Sequence, residues 1–456
     1  MSIFQYQNDG ILSSGSDSSA LDHEEAVFQE PGDVRPSFFS SYMRDMKQQG
    51  RCVAQPRMGF GDPFSMRNGL KAVKALPFPR AGTITVDSLT RTRRFAQAEE
   101  ALRTGQPLNG YPIVAAGQER NQQLLEGLHD RQFPVQVRHG SSIPDQIFDA
   151  ITEAGLDATE GGPISYCLPY GAVPLREAIQ AWRRCCVKFA QSGGERGEAS
   201  HLESFGGCML GQLCPPSMLV AISILEGVFF SRCGLKSMSL SYAQGSNFSQ
   251  DRGALAALRR LAAEWLPEAD WHIVVYTHMG NFPSTPRGAR KLIEESARLC
   301  AASGCERLIV KTASESRQIP SVEDNVEAMQ WVANIFSQTS PEPLSAREGE
   351  HEEAIYACAK SVVERVLGLS ENIDECLEIA FQRGFLDIPY CLHPDNANRA
   401  RSKIDDEGNL YWTNSGNIPF PEHFKVVVPQ DRRAISSLEF QRMLFFVRTK
   451  FDFSST

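Results

Sequence analysis

Between Arg51 and about Ser314 the chain alternates, eight times over, a short apolar or β-branched run with a longer stretch of helical spacing. The runs are Cys52–Gln55, Thr83–Val86, Pro112–Ala115, Val135–Val137, Ile164–Leu168, Met238–Tyr242, His272–Tyr276 and Arg307–Val310. Between them, Ala96–Leu102, Glu119–Leu128, Asp145–Ala154, Leu175–Ala190, Gly253–Trp265 and Arg290–Ala302 carry helix formers at helical spacing. Parallel strands need helical crossovers. Eight strand–helix units in roughly 260 residues therefore predict an α/β fold, a (β/α)8 TIM barrel, with a doubly wound open sheet as the competing layout.

Residues 1–40 are rich in Ser, Asp, Glu and Gln without a sustained period, which predicts a disordered N-terminal tail. The barrel with its extra helices then spans 41–384, including helices over Val322–Phe336, Glu352–Leu367 and Asn372–Arg383 with an exposed link at Pro341–Glu352. Residues 385–456 read as a small mixed α+β addition with a hairpin tip at Asp406-Glu407-Gly408. The charge balance, 46 Lys+Arg against 55 Asp+Glu, gives 46 − 55 = −9 and argues against nucleic-acid binding through bulk charge. Leu219–Phe230, the longest apolar stretch, is too short to span a membrane and reads as a buried helix. With no basic n-region at the start and twelve scattered cysteines lacking a CxxC pair, the expectation is a soluble, cytoplasmic protein with reduced thiols.

A parallel barrel gathers its reactive groups where strands end. The first predicted strand runs into Pro56-Arg57-Met58-Gly59, the second through Asp87 to Arg91, and the fourth into Arg138-His139-Gly140. Glu160-Gly161-Gly162 precedes the fifth, which carries Tyr166 and runs into Pro169-Tyr170; the eighth ends at Lys311, with Glu315 four residues on. Three arginines at one mouth repel one another and favour a bound anion, and their two-bond forks suit a dicarboxylate or a phosphate equally. Glu160 in such a site either holds a substrate ammonium or neutralises one arginine. Tyr166 and Tyr170 are also compatible with core packing, and Lys311 with an ion pair to Glu315 on one helical face. His139 and His278 lack metal-ligand spacing, so no metal site is expected. No GxxxxGK[ST] and no GxSxG occurs, and Gly59-Phe60-Gly61-Asp62-Pro63 fails as a dinucleotide fingerprint.

The same stretches resemble a known family. Ala54-Gln55-Pro56-Arg57-x-Gly59, Thr90-Arg91, Leu108-Asn109-Gly110, Arg138-His139-Gly140, Glu160-Gly161-Gly162-x-Ile164-Ser165-Tyr166-x-x-Pro169-Tyr170, Pro215-Pro216-Ser217-Met218, Phe282-Pro283 and Val310-Lys311-Thr312-x-x-Glu315-x-x-x-Ile319-Pro320 are similar to the large (epsilon) subunit of adenosylcobalamin-dependent glutamate mutase, or methylaspartate mutase. Asp387-Ile388-Pro389 and Gly416-Asn417-Ile418-Pro419-Phe420 extend the likeness, which runs from about residue 45 to 435. Met58 stands where that family has a small residue.

The resemblance implies a (β/α)8 barrel and a radical isomerisation of L-glutamate to threo-3-methyl-L-aspartate. It places Arg57, Arg91 and Arg138 on the substrate carboxylates with His139 beside them, the catalytic Glu160 on the amino group, and Tyr166 and Tyr170 around the pocket. Gly59, Asn109, Pro169, Phe282, Lys311, Glu315 and Ile319 would line the adenosylcobalamin. The corrin signature Asp-x-His-x-x-Gly is absent: Asp270-Trp271-His272 begins it, but Val275 stands at the glycine. The resemblance thus implies a separate small cobalamin-binding (sigma) subunit, in a heterotetramer of two large and two small subunits. A lyase or aldolase forming a Schiff base on Lys311, and a binding subunit without turnover, are the alternatives.

Overall fold

The computed structural model describes residues 37–169, 171–195, 197, 199–208, 213–424 and 435–453. Eight short strands run parallel: β1 Val53–Pro56, β2 Gly82–Thr85, β3 Val135–Arg138, β4 Ala158–Gly161, β5 His201–Ser204, β6 Ser237–Ala243, β7 Asp270–Tyr276 and β8 Arg307–Val310. Their order is β1-β8-β7-β6-β5-β4-β3-β2. A parallel bridge between Ala54 and Arg80 brings β1 and β2 together, closing the (β/α)8 barrel. Every strand is followed by at least one helix, from Pro63–Lys74 after β1 to Val322–Gln338 after β8.

The helix starts are written locally. Asp62, Asn247 and Thr285 accept N–H bonds from the first turns they precede, and Ser321 with Asp324 forms a reciprocal capping box. The helix Pro216–Arg232 contains the expected apolar stretch and is buried from Pro216 to Phe230. Among the described residues no helix is long and apolar enough to cross a membrane.

The eight expected strands and the eight observed ones are not the same set. Pro112–Ala115 is no strand: Ile113–Leu125 is helical on both sides of a kink at Gly117, and Pro112 lacks the N–H a sheet ladder needs. Ile164–Leu168 is a turn, because the N–H groups of Ile164 and Ser165 donate to the buried Glu226 carboxylate (3.2 and 2.9 Å) and not to a neighbouring strand. In their place stand β4 and β5, whose Glu160, His201 and Glu203 interrupt any apolar run. The link expected at Pro341–Glu352 is shorter, since Ser345 caps a helix that begins at Ala346.

Of the expected tail, residues 1–36 lie outside the described residues, and Ser37 caps the helix Phe38–Gln48. Phe39 of that helix closes the N-terminal end of the barrel, stacked on His201 with centroids 4.8 Å apart. After Gly384 the chain forms an antiparallel hairpin, β9 Arg401–Ile404 and β10 Leu410–Asn414. Gly408 at its tip has φ +88°, a conformation glycine adopts without strain. The hairpin packs on the barrel helices through Trp412 Nε1, which donates to Ser217 Oγ at 3.0 Å.

Candidate active site

Arg138 ends β3 and Glu160 sits on β4, on adjoining strands at the C-terminal mouth. Both are buried, and Arg138 Nε donates to Glu160 Oε2 at 2.6 Å. Tyr166, in the turn after β4, donates its hydroxyl to Oε1, and Tyr276, at the end of β7, donates to Oε2 at 2.6 Å. Burial opposes the charge of Arg138, yet Glu160 beside it holds the guanidinium protonated more firmly than usual. Arg138 Nη1 is buried and has no hydrogen-bond partner among the described residues. A carboxylate can accept about four bonds, so Oε1 keeps an open position while Arg138 keeps an open donor.

His139 follows directly. Its Nδ1 accepts the Ser141 N–H at 3.1 Å, which places the ring proton on Nε2, an atom without a partner among the described residues. Burial pushes its pKa down to about 3, so the imidazole is neutral and packs on Trp182 at 5.6 Å. Arg91 ends the helical turn Ser88–Arg91, which Asp87 caps through the Leu89 and Thr90 N–H groups. Its Cδ lies where a Cβ on Gly140 would stand only 2.9 Å away, so Arg91 reaches the Arg138-His139-Gly140 loop.

A second cluster stands beside the first. Glu315 Oε1 accepts from Arg57 Nη1 at 2.6 Å and lies 3.4 Å from Lys311 Nζ. Burial would raise the Glu315 carboxyl, but Lys311 and Arg57 hold it below the usual range. Lys311 is itself lowered to about 8 by burial, and its Nζ lies 5.3 Å from the Phe282 ring centroid. The Lys311–Glu315 pair forms on a turn and not on the helical face that their spacing suggested. Arg57, Gly59, Asn109, Glu315 and Ile319 line a cavity of about 320 Å³. A Cβ on Gly59 would stand 2.5 Å from the Thr85 carbonyl oxygen, so only glycine fits there. Asn109 Oδ1 accepts the Ser88 N–H at 2.9 Å, and Ile319 is 58% exposed. Pro169 is half-buried in the turn after β4, and Tyr170 lies outside the described residues.

A family model described as methylaspartate mutase E chain (MutE) matches residues 35–445. The chain belongs to that family. The glutamate mutase epsilon subunit of Desulfitobacterium hafniense is 29% identical over 439 residues, covering 92% of this chain and 89% of its own. That of Halobacterium salinarum is 30% identical over 366 residues, covering 77% and 75%, and that of Escherichia coli O157:H7 is 28% identical over 404 residues, covering 84% and 81%.

Further residues of this candidate site have no counterpart in the sequence reading. Glu203 on β5 contacts the Tyr276 hydroxyl and pairs with Arg307, and both charged groups are fully buried. Glu203 and His201 point into the barrel two residues apart, so their strand reads as a polar loop; Tyr276, the last residue of an expected strand, could have been found by its position. Glu226, the one acid in an apolar helix, accepts Ile164 N–H, Ser165 N–H, and the Ser165 and Ser204 hydroxyls, thereby anchoring the turn that carries Tyr166. His272, the histidine of the broken corrin signature, is buried, accepts from Arg307 Nε at 3.2 Å and stacks on His201 at 5.2 Å.

Proposed function

We propose that this chain is the substrate-binding, catalytic subunit of an adenosylcobalamin-dependent glutamate mutase, an isomerase that rearranges L-glutamate to threo-3-methyl-L-aspartate. The observation that carries the reading is the Arg138–Glu160 pair: a buried cation with an open donor beside a buried carboxylate with an open acceptor. An amino dicarboxylate matches that pattern. One carboxylate takes Arg138 Nη1, the ammonium takes Glu160 Oε1, and Arg91 and Arg57 are the cations at hand for the second carboxylate. Neutral His139 adds an Nε2–H donor without adding charge. Tyr166 and Tyr170 would complete the pocket wall.

The groove over Arg57 and Glu315 suits the cofactor. Gly59 leaves its floor without a side chain, Ile319 offers an exposed apolar contact, and the Glu315 carboxylate has acceptor capacity for ribose hydroxyls. Adenosylcobalamin, when bound, supplies a hydrogen-abstracting radical through homolysis of its cobalt–carbon bond. Lys311 and Glu315 would hold the nucleoside side, with Gly59, Asn109, Pro169, Phe282 and Ile319 around it. What the protein contributes is alignment and exclusion of water, since a radical must meet only the intended hydrogen. With His272 locked in the barrel and no intact corrin signature in the chain, a small sigma-type subunit would share in holding the cobalamin, in a two-plus-two assembly.

Co-expression with a small cobalamin-binding protein, followed by NMR assay of glutamate and 3-methylaspartate, tests the proposal. Interconversion that requires both proteins and adenosylcobalamin is expected; no interconversion with all three present would refute it. The lowered pKa of Lys311 also suits imine chemistry. Borohydride trapping of a carbonyl compound on Lys311 would favour that reading, and no trapping is expected.

A further inference from the structure

Tyr276 touches both halves of the charged pair at the barrel mouth. Its hydroxyl bonds Glu160 Oε2 at 2.6 Å, and the Arg138 guanidinium carbon lies 5.0 Å from its ring centroid. The same hydroxyl meets Glu203 from the other side. Glu203 is held from beneath by Arg307, which also donates to Gln55 at 2.6 Å, Ser239 at 2.9 Å and Gln136 at 3.1 Å.

An arginine beside a carboxylate tends to close into a two-bond fork. Here it does not: Nε bonds Oε2 alone, and Nη2, the nitrogen that faces the same way as Nε–H, makes no second bond to Oε1. Tyr166 draws one carboxylate oxygen and Tyr276 the other, so Glu160 is held from turning Oε1 onto Nη2. The open acceptor on Oε1 depends on that restraint; the Nη1 donor, on the far side of the guanidinium, is open in either arrangement. Because the phenol of Tyr276 has one proton and two carboxylate neighbours, the Glu203–Arg307 pair governs how strongly the restraint reaches Glu160.

We infer that Tyr276 is a positioning residue that keeps the Arg138–Glu160 pair unforked, and thereby sets selectivity for amino dicarboxylates over dicarboxylates lacking the amino group; this rests on the amino-dicarboxylate reading above. Tyr276→Phe removes the hydroxyl and keeps the ring under Arg138. Titration calorimetry of the full-length chain with L-glutamate and with glutarate reads the effect. The wild type prefers glutamate; the variant should lose about tenfold or more of that preference while glutarate affinity stays within about threefold. An unchanged preference overturns the inference.

A wild type that binds neither compound would instead sink the amino-dicarboxylate reading and the selectivity with it. The positioning role is then decided by thermal midpoints of Tyr276→Phe, Glu160→Gln and the double variant. A double shift smaller than the sum of the single shifts supports direct coupling of Tyr276 to Glu160, and simple additivity overturns it.

Discussion

At the scale of single residues, the site works by leaving particular atoms unsatisfied. Glu160→Gln keeps a single acceptor oxygen, which can serve Tyr166 or the Arg138 and Tyr276 side but not both, and removes the charge an ammonium needs, so kcat/KM should fall about 100-fold or more. Melting curves should show the variant still folded, because the amide fills the same volume. Should turnover persist at the wild-type level, Glu160 does not hold the substrate. Arg91→Lys replaces a planar fork by a point charge; KM should rise about tenfold with kcat changed less. Arg57, Arg91, Arg138 and Lys311 were legible in the sequence because each follows a recognisable strand end. Glu203 was not, and Tyr276 was legible only as a strand end: the importance of both lies in what they touch across the barrel, which no local spacing records.

Among the elements, the helix Pro216–Arg232 and the turn it supports show how an acid can serve the site without joining it. Glu226 is buried with four donors around it and no cation among the described residues, and burial raises its pKa to about 7. A raised carboxyl binds its proton more tightly in the folded than in the unfolded state. Its contribution to stability is therefore complete below about pH 4.5 and is lost as pH rises through about 7, by up to roughly 3 kcal/mol. Glu226→Gln should lack this slope, so the gap between variant and wild-type melting temperatures should differ between pH 5 and pH 8; a constant gap would contradict the assignment. A Cβ on Gly162 would overlap that carboxylate, which explains the glycine. The element-level misreadings share a cause. Ile164–Leu168 is apolar because it packs beneath the mouth, whereas β4 and β5 are polar because their side chains meet other polar side chains inside the barrel. Hydrophobicity reports burial, and only an apolar interior makes burial and strand coincide.

For the whole molecule, the unusual feature is a barrel whose core is a hydrogen-bonded column. Barrel interiors are commonly filled by branched apolar residues; here Gln55, Gln136, Glu203, Ser239, His272 and Arg307 bond one another beneath the site. Removing one charge should cost more than removing both: Arg307→Met alone is expected to destabilise by about 3–5 kcal/mol, and Glu203→Leu with Arg307→Met by clearly less. Denaturant midpoints measure this, and equal losses would mean that the pair is not the source of the cost. By itself the sequence determined the alternation of strand and helix, the capped helix starts, the hairpin turn at Gly408 and the basic strand ends, because each depends on neighbours in the chain. Tertiary structure alone decided which eight segments are strands, that Glu160 meets Arg138 with one donor left open, and that Tyr276 stands between two ion pairs. Those facts depend on side chains that converge only when the barrel closes and water is excluded, so they have no local signature to read.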